Sequence, residues 1–191
     1  MTAIGAGLVT EETYRRLARE QPDRQWELRH ARVREKPGTG AEHNDLMFQL
    51  GVRLQLRLDP AAFRVRVNAG RLRRLAGTSY IPDVAVLPAE LERAERRGPG
   101  HLETYDAPIP LVVEGWSPST GEYDVTEKLA EYQARGDREI WLLHPYERTL
   151  TAWVRQPDGT YEQRLHQGGS VHPAFLPDVA IDVQALFASI A

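Results

Sequence analysis

Two carboxylates stand where a folding chain finds them awkward: Asp83 heads the apolar run Val84-Ala85-Val86-Leu87, and Glu114 closes Leu111-Val112-Val113. An ionised group beside a core is costly unless it is paired. Taken singly, each acid is equally well read as a strand end facing water. If the two strands are neighbours, however, their ends bring both side chains to one point, and a hard cation there would offset repulsion and desolvation. Lys128 adds the third element. On the helix predicted after Asp124, Val125, Leu129 and Tyr132 mark the apolar face, and Lys128 lies three residues after Val125 and four before Tyr132. An inward lysine must either snorkel to water or meet an anion, and the Asp83/Glu114 pair is the nearest chemical reason for one. Together the three groups suit phosphodiester hydrolysis. The metal would activate water and stabilise charge on the phosphate, while the ammonium orients the nucleophile or binds the developing charge.

Glu27 and His43 are candidates for a second tier, as ligands or as groups that position water. His43 is also read as a packing residue, because it opens the stripe His43, Met47, Leu50 and Leu54 of an amphipathic helix. Asp124 is best explained as an N-cap, though its place before Lys128 would also let it help set the pocket. Ser117 and Ser119 read as turn residues, no Ser-His-Asp arrangement is apparent, and His101, His144, His166 and His172 lack metal-ligand spacing. The chain has no cysteine, which excludes disulfides, thiolate nucleophiles and cysteine-ligated zinc. A metal must therefore sit on oxygen or imidazole, and Mg²⁺ (or Mn²⁺) fits best. Only two residues, Lys36 and Lys128, are lysines in a chain whose other basic residues are arginines. Each lysine is therefore a question, since an ammonium is a compact charge whose pKa responds to burial.

The elements that must position these groups follow from caps, breakers and periodicity. Thr10 caps a helix over Glu11 to Glu20, and Trp26, Leu28 and Val33 suggest a hairpin between Gln25 and Glu35 that turns without glycine. Lys36-Pro37-Gly38-Thr39-Gly40 is a loop by its breakers. Phe63 to Leu75 reads as one strand, and Tyr80 to Leu87 as a second that carries Pro82-Asp83. A short helix is expected over Glu90 to Arg97. Leu111 to Glu114 and Ile140 to Leu143 are continuous apolar runs of the kind buried on both faces. Between them, a helix starting at Asp124 stops at Gly136. Thr149 to Arg155 and Thr160 to Leu165 form an antiparallel hairpin about Pro157-Asp158-Gly159, and a short helix near Val183 to Ile190 closes the chain.

At 191 residues and 41% hydrophobic content the chain can bury one substantial core, so one α/β domain over 1–191 is expected. No signal peptide or membrane-length apolar run is present, which points to a soluble cytoplasmic protein. The net charge of −3 and the pI near 6.1 are not the global signature of a nucleic-acid binder. Local basic clusters at Arg71-Leu72-Arg73-Arg74 and Arg93-Ala94-Glu95-Arg96-Arg97 still allow a basic face.

The run Leu111-Val112-Val113-Glu114-Gly115-Trp116-Ser117-Pro118-Ser119-Thr120, with Asp124, Glu127-Lys128-Leu129, Tyr132 and Gly136, resembles the Uma family of restriction endonucleases within the PD-(D/E)XK nuclease superfamily. Trp26-Glu27-Leu28, His43 and Ile81-Pro82-Asp83-Val84 match further blocks in order. The resemblance implies a restriction-endonuclease-like core, a mixed central sheet flanked by helices, with Asp83 and Glu114 as metal ligands. In a standard member of the superfamily the lysine lies two residues after the glutamate, where this chain has Trp116; the family pattern moves it to the helix, at Lys128. Two departures stand out: His30-Ala31 replaces an acidic residue and glycine in the first hairpin, and Gly115-Trp116 replaces a small aliphatic pair. The expected activity is metal-dependent hydrolysis of DNA phosphodiester bonds, with a homodimer as the form that addresses two strands. The competing reading is a catalytically inactive nuclease-like module that binds nucleic acid or protein.

Overall fold

The computed structural model describes residues 7–118, 121–176 and 178–190, and the side chains of residues 121–125 lie outside that description. Helix α1 (Glu11–Glu20) starts where expected, with the Thr10 hydroxyl accepting from the amide of Thr13 at 3.2 Å. Strands β1 (Trp26–Arg29) and β2 (Arg32–Glu35) form the expected hairpin. Its turn puts His30 and Ala31 at φ 45° and 59°, a conformation that glycine usually supplies. Backbone bonds replace that preference here, from Ala31 N to Gly77 O at 2.7 Å and from Val9 N to Ala31 O at 2.7 Å. Helix α2 (Ala41–Arg57) buries His43, Met47, Leu50 and Leu54 along the expected stripe.

The two strands read between Phe63 and Leu87 are each broken. Strand β3 (Phe63–Val67) stops at Asn68 and Gly70, both with positive φ, and β4 (Arg71–Arg73) belongs to a different sheet. Likewise β5 (Ser79–Tyr80) and β6 (Val84–Pro88) are separated by Ile81-Pro82-Asp83, where Pro82 has no amide to give to a ladder. Helix α3 (Ala89–Glu95), β7 (Thr104–Tyr105) and β8 (Leu111–Gly115) follow. Helix α4 (Gly121–Arg135) then makes the crossover that lets β9 (Glu139–His144) lie parallel to β8. Strands β10 (Thr149–Arg155) and β11 (Tyr161–His166) make the C-terminal hairpin. The chain ends in β12 (Ser170–Val171), β13 (Ile181–Asp182) and α5 (Val183–Ala188).

The result is a mixed α/β architecture. One sheet has the order β11-β10-β9-β8-β6-β3, a second has β2-β1-β5-β4-β7, and β12 pairs with β13. Alternation along β6 and β8 divides the larger sheet's two faces. Val84, Val86, Leu111 and Val113 pack in a core with α2 and α5 residues, while Ala85, Leu87 and Val112 pack with Tyr80, Leu72 and Tyr132. Among the described residues no helix is long and apolar enough to cross a membrane.

Candidate active site

Strands β6 and β8 are antiparallel neighbours, with Val84 opposite Val113 and Ala85 opposite Val112. Continuing that register by one pair sets Asp83 opposite Glu114, and period-two alternation puts both on the face that α4 covers. Asp83 and Glu114 are buried, as are Glu27, His43 and Lys128. A small cavity of about 10 Å³, room for roughly one water-sized group, is lined by Lys36, His43, Asp83, Glu114, Ser117 and Lys128 among others.

Each carboxylate is held by several elements. Asp83 Oδ2 accepts from the Gly115 amide at 2.7 Å and lies 2.9 Å from His43 Nε2, while Oδ1 lies 2.7 Å from the Lys36 ammonium. Lys36 also donates to Asn68 Oδ1 at 2.8 Å and to the Ile81 carbonyl at 2.9 Å. Glu114 Oε1 accepts from the Tyr132 hydroxyl at 2.6 Å and lies 3.3 Å from Lys128 Nζ. Lys128 also lies 3.1 Å from Glu27 Oε1, which accepts the Ile81 amide at 2.9 Å. Glu27 can reach it because Trp26 and Leu28, on the other face of β1, pack in the cluster that contains Tyr14 and Ala18 of α1. The Lys128 ammonium also stands 5.8 Å from the centre of the Tyr80 ring.

These surroundings push the two acids apart. Burial alone would raise Asp83, but Lys36 and then His43 more than offset it and hold its carboxyl well below the usual range. Burial raises Glu114 to about 7; Lys128 opposes that shift, and the negative charge of Asp83 adds to it. Three carboxylates, Glu27, Asp83 and Glu114, thus face two ammonium groups, Lys36 and Lys128, so the fully ionised cluster carries a charge of −1, His43 aside. A group poised to share a proton near neutrality, beside one fixed as an anion, is typical of functional sites.

The close approach of α2 to β8 depends on Gly115. A Cβ there would stand 2.5 Å from His43 Nε2 and 2.7 Å from its Cδ2, so only glycine leaves the ring in contact with Asp83. The Gly115 departure noted in the sequence is therefore what admits His43.

Five of the six sequence candidates, Asp83, Glu114, Lys128, Glu27 and His43, come together here. Glu27 and His43 touch Lys128 and Asp83 respectively rather than standing apart from them. The sixth, Asp124, corrects an expectation: α4 begins at Gly121, so Asp124 falls inside the first turn rather than at the cap. Acids are favoured at both places by the helix N-terminus, which makes them alike in sequence. The side chain of Asp124 lies outside the described residues. Among the described residues, no three His, Cys, Asp or Glu side chains converge as a ready-made metal cluster. Sequence reasoning missed Lys36, the second of the two lysines, whose rarity was the available signal. It also gave Tyr132 only a packing role and Ser117 only a turn, whereas the Tyr132 hydroxyl bonds Glu114 and Ser117 lines the cavity.

Four arginines of the basic clusters are paired with acids, and Arg71 donates to the Tyr14 hydroxyl at 2.9 Å. Arg73 pairs with Glu11 and Asp106, Arg74 with Glu131, Arg96 with Glu92 and Arg97 with Glu95.

No functionally curated protein matches the sequence. A crystal structure from Anabaena variabilis, described as that of a putative nuclease belonging to DUF820, superposes with a TM-score of 0.71 at 17% identity, over 87% of this chain and 91% of that one. At that identity the likeness establishes the fold. The model of the Uma2 family, described as "Putative restriction endonuclease", matches residues 11–184, and the chain belongs to that family.

Proposed function

We propose that the protein is a metal-dependent endonuclease that hydrolyses DNA phosphodiester bonds, with Asp83 and Glu114 as ligands of Mg²⁺ (or Mn²⁺) and Lys128 as the charged group acting on water or phosphate. The observation that carries this reading is the convergence of two buried carboxylates, the buried Lys128 and the half-buried Lys36 on one small cavity. Membership of the family supports the reaction class.

The donor set fits a hard cation. Mg²⁺ is commonly bound through one or two carboxylates and keeps several waters, so three convergent acids are not required. A divalent ion would take the cluster from −1 to +1, the charge that a phosphodiester monoanion complements. When bound, the ion would polarise the phosphate and acidify a water beside it. The chain's own residues do the rest. Tyr132 and Lys128 fix the Glu114 carboxyl, and Glu27 holds the Lys128 ammonium at the cavity lining, where it can orient the attacking water or meet charge developing on phosphate oxygen. His43 and the Gly115 amide fix Oδ2 of Asp83, and Lys36 keeps that acid ionised.

One observation favours a second reading, a catalytically silent binding module: Asp83 and Glu114 already have internal partners in Lys36, His43, Tyr132 and Lys128. Purified protein incubated with plasmid and single-stranded DNA, in Mg²⁺, Mn²⁺ or EDTA, separates the two. Cleavage should need the metal and fall by about 100-fold or more in Asp83→Asn and Lys128→Ala. Cleavage indifferent to both substitutions refutes the proposed site, and binding without cleavage favours the silent module.

A further inference from the structure

Directly after the Glu114-Gly115 pair stands an aromatic ring that the hydrolytic arrangement does not use. The Trp116 indole stacks on the His144 imidazole, with centroids 4.3 Å apart and planes inclined by 23°. Tyr146 meets both edge-on, 5.8 Å from Trp116 at 90° and 6.2 Å from His144 at 75°. Trp116 and His144 are half-buried, and Tyr146 is 58% exposed. By contrast, the core indoles Trp26 and Trp141 are fully buried. The group is held in place by its backbone. The Trp116 amide donates to the Leu143 carbonyl at 2.8 Å, and His144 Nδ1 accepts the Glu147 amide at 3.0 Å.

Its position gives the cluster meaning. Trp116 lies between Gly115 and Ser117, both of which line the cavity, and two residues of chain from Glu114 span at most ~7 Å. A phosphate held at that cavity brings its own nucleobase close by. A paired base is stacked and bonded inside its duplex, whereas an unpaired one offers an open face. The electrostatics agree, since the net charge is −3 and Arg73, Arg74, Arg96 and Arg97 are paired with acids. Arginines already paired with acids gain less by counterion release from a duplex, while ring stacking supplies affinity that charge does not.

We propose that Trp116, His144 and Tyr146 form a stacking platform for an unpaired nucleobase, so that the candidate site takes single-stranded nucleic acid. The proposal rests on the nuclease reading of Asp83, Glu114 and Lys128 and assigns that site its substrate class. The shared ligand chemistry is a nucleobase joined through its sugar to a phosphodiester. Single-stranded DNA and RNA both present it.

The test is fluorescence anisotropy with labelled oligodeoxyuridylate, oligouridylate, a duplex of the same length and an abasic strand of the same length, with Ca²⁺ replacing Mg²⁺ so that strands stay intact. The unpaired strands should bind more tightly than the duplex and the abasic strand, and the ratio of the two names the natural sugar. Trp116→Ala should weaken the base-bearing strands by about 5- to 150-fold, the effect of losing one stacked base. Trp116→Phe should restore most of that loss, the exposed Tyr146→Ala should give a smaller one, and none should change the abasic strand. Equal affinity for abasic and base-bearing strands, or for duplex and single strand, overturns the proposal, as does unchanged binding in both alanine variants. Cleavage, measured separately with Lys128→Ala, keeps the two readings distinct. Lys128-dependent cutting without stacking overturns the platform alone, and stacking without cutting overturns the nuclease reading alone.

Discussion

Replacing Gly115 by alanine should damage the site from a distance of one methyl group. The added Cβ would stand 2.5 Å from His43 Nε2 and 2.7 Å from Cδ2, so the imidazole must move. Nε2 is also the atom 2.9 Å from Asp83 Oδ2, and displacing it removes a hydrogen bond from a buried carboxylate. Overpacking costs about 1–3 kcal/mol, and a lost bond to a charged group about 1.5–3 kcal/mol. Allowing for partial relaxation, the total is about 2–5 kcal/mol, or roughly 5–20 °C in melting temperature for a domain of this size. The decisive measurement is a double-mutant cycle with His43→Ala, followed by thermal and denaturant unfolding. After those two ring atoms, the next-nearest neighbour of the new methyl is Met47 Cε at 3.3 Å, the mobile end of a flexible side chain. Gly115→Ala should then be neutral, or stabilising by about 0.4–1 kcal/mol through the unfolded chain. A coupling above ~1.5 kcal/mol is expected. If Gly115→Ala costs the same with and without His43, the glycine does not make room for the histidine and the reasoning fails.

Lys36→Met should leave Asp83 a buried anion short of its closest cation and cost about 3–5 kcal/mol near neutral pH, measured by urea unfolding. Asp83 is held below its unfolded value of 3.8, so the stability it contributes is present above that value and lost as pH falls; the penalty of Lys36→Met should shrink in acid. Glu114 behaves in the opposite sense. Its folded value of about 7 lies above the unfolded 4.5, so its contribution is fully present below pH 4.5 and is lost as pH rises through 7. In EDTA, Glu114→Gln should therefore flatten the stability profile between about pH 4.5 and 7, a slope worth up to roughly 3 kcal/mol in the parent protein; an unchanged slope would show that another group titrates there. Arg135→Ala should cost about 3–5 kcal/mol by the same unfolding assay. That side chain donates to the carbonyls of Arg73, Tyr105 and Ala107 at 2.7 Å each and pairs with the buried Asp137 at 2.9 Å.

The sequence by itself determined those features whose physics is local. Apolar runs headed or closed by a carboxylate marked Asp83 and Glu114, and helical spacing turned Lys128 inward with Tyr132 four residues on. The alternation of β10 and β11 about a Pro-Asp-Gly turn marked their hairpin. The breaks inside the two central strands were not legible, because Tyr80 to Leu87 is apolar almost throughout and the short Asn68-Ala69-Gly70 step is flanked by strand-forming residues on both sides. What interrupts them is the transfer of the chain from one sheet to the other at Asn68 and at Pro82. Only tertiary structure decided the remaining partners. Lys36 lies in a Pro-Gly loop that any local rule assigns to solvent, and it reaches Asp83 because the β1–β2 hairpin joins the second sheet beside Asn68 and Ile81. Gly115 read as a departure from a pattern until α2 was seen to bring His43 against it. Periodicity states which face of an element a side chain occupies. Which other element meets that face depends on strand pairing between residues far apart in the chain, and here that pairing supplied the second lysine and the histidine.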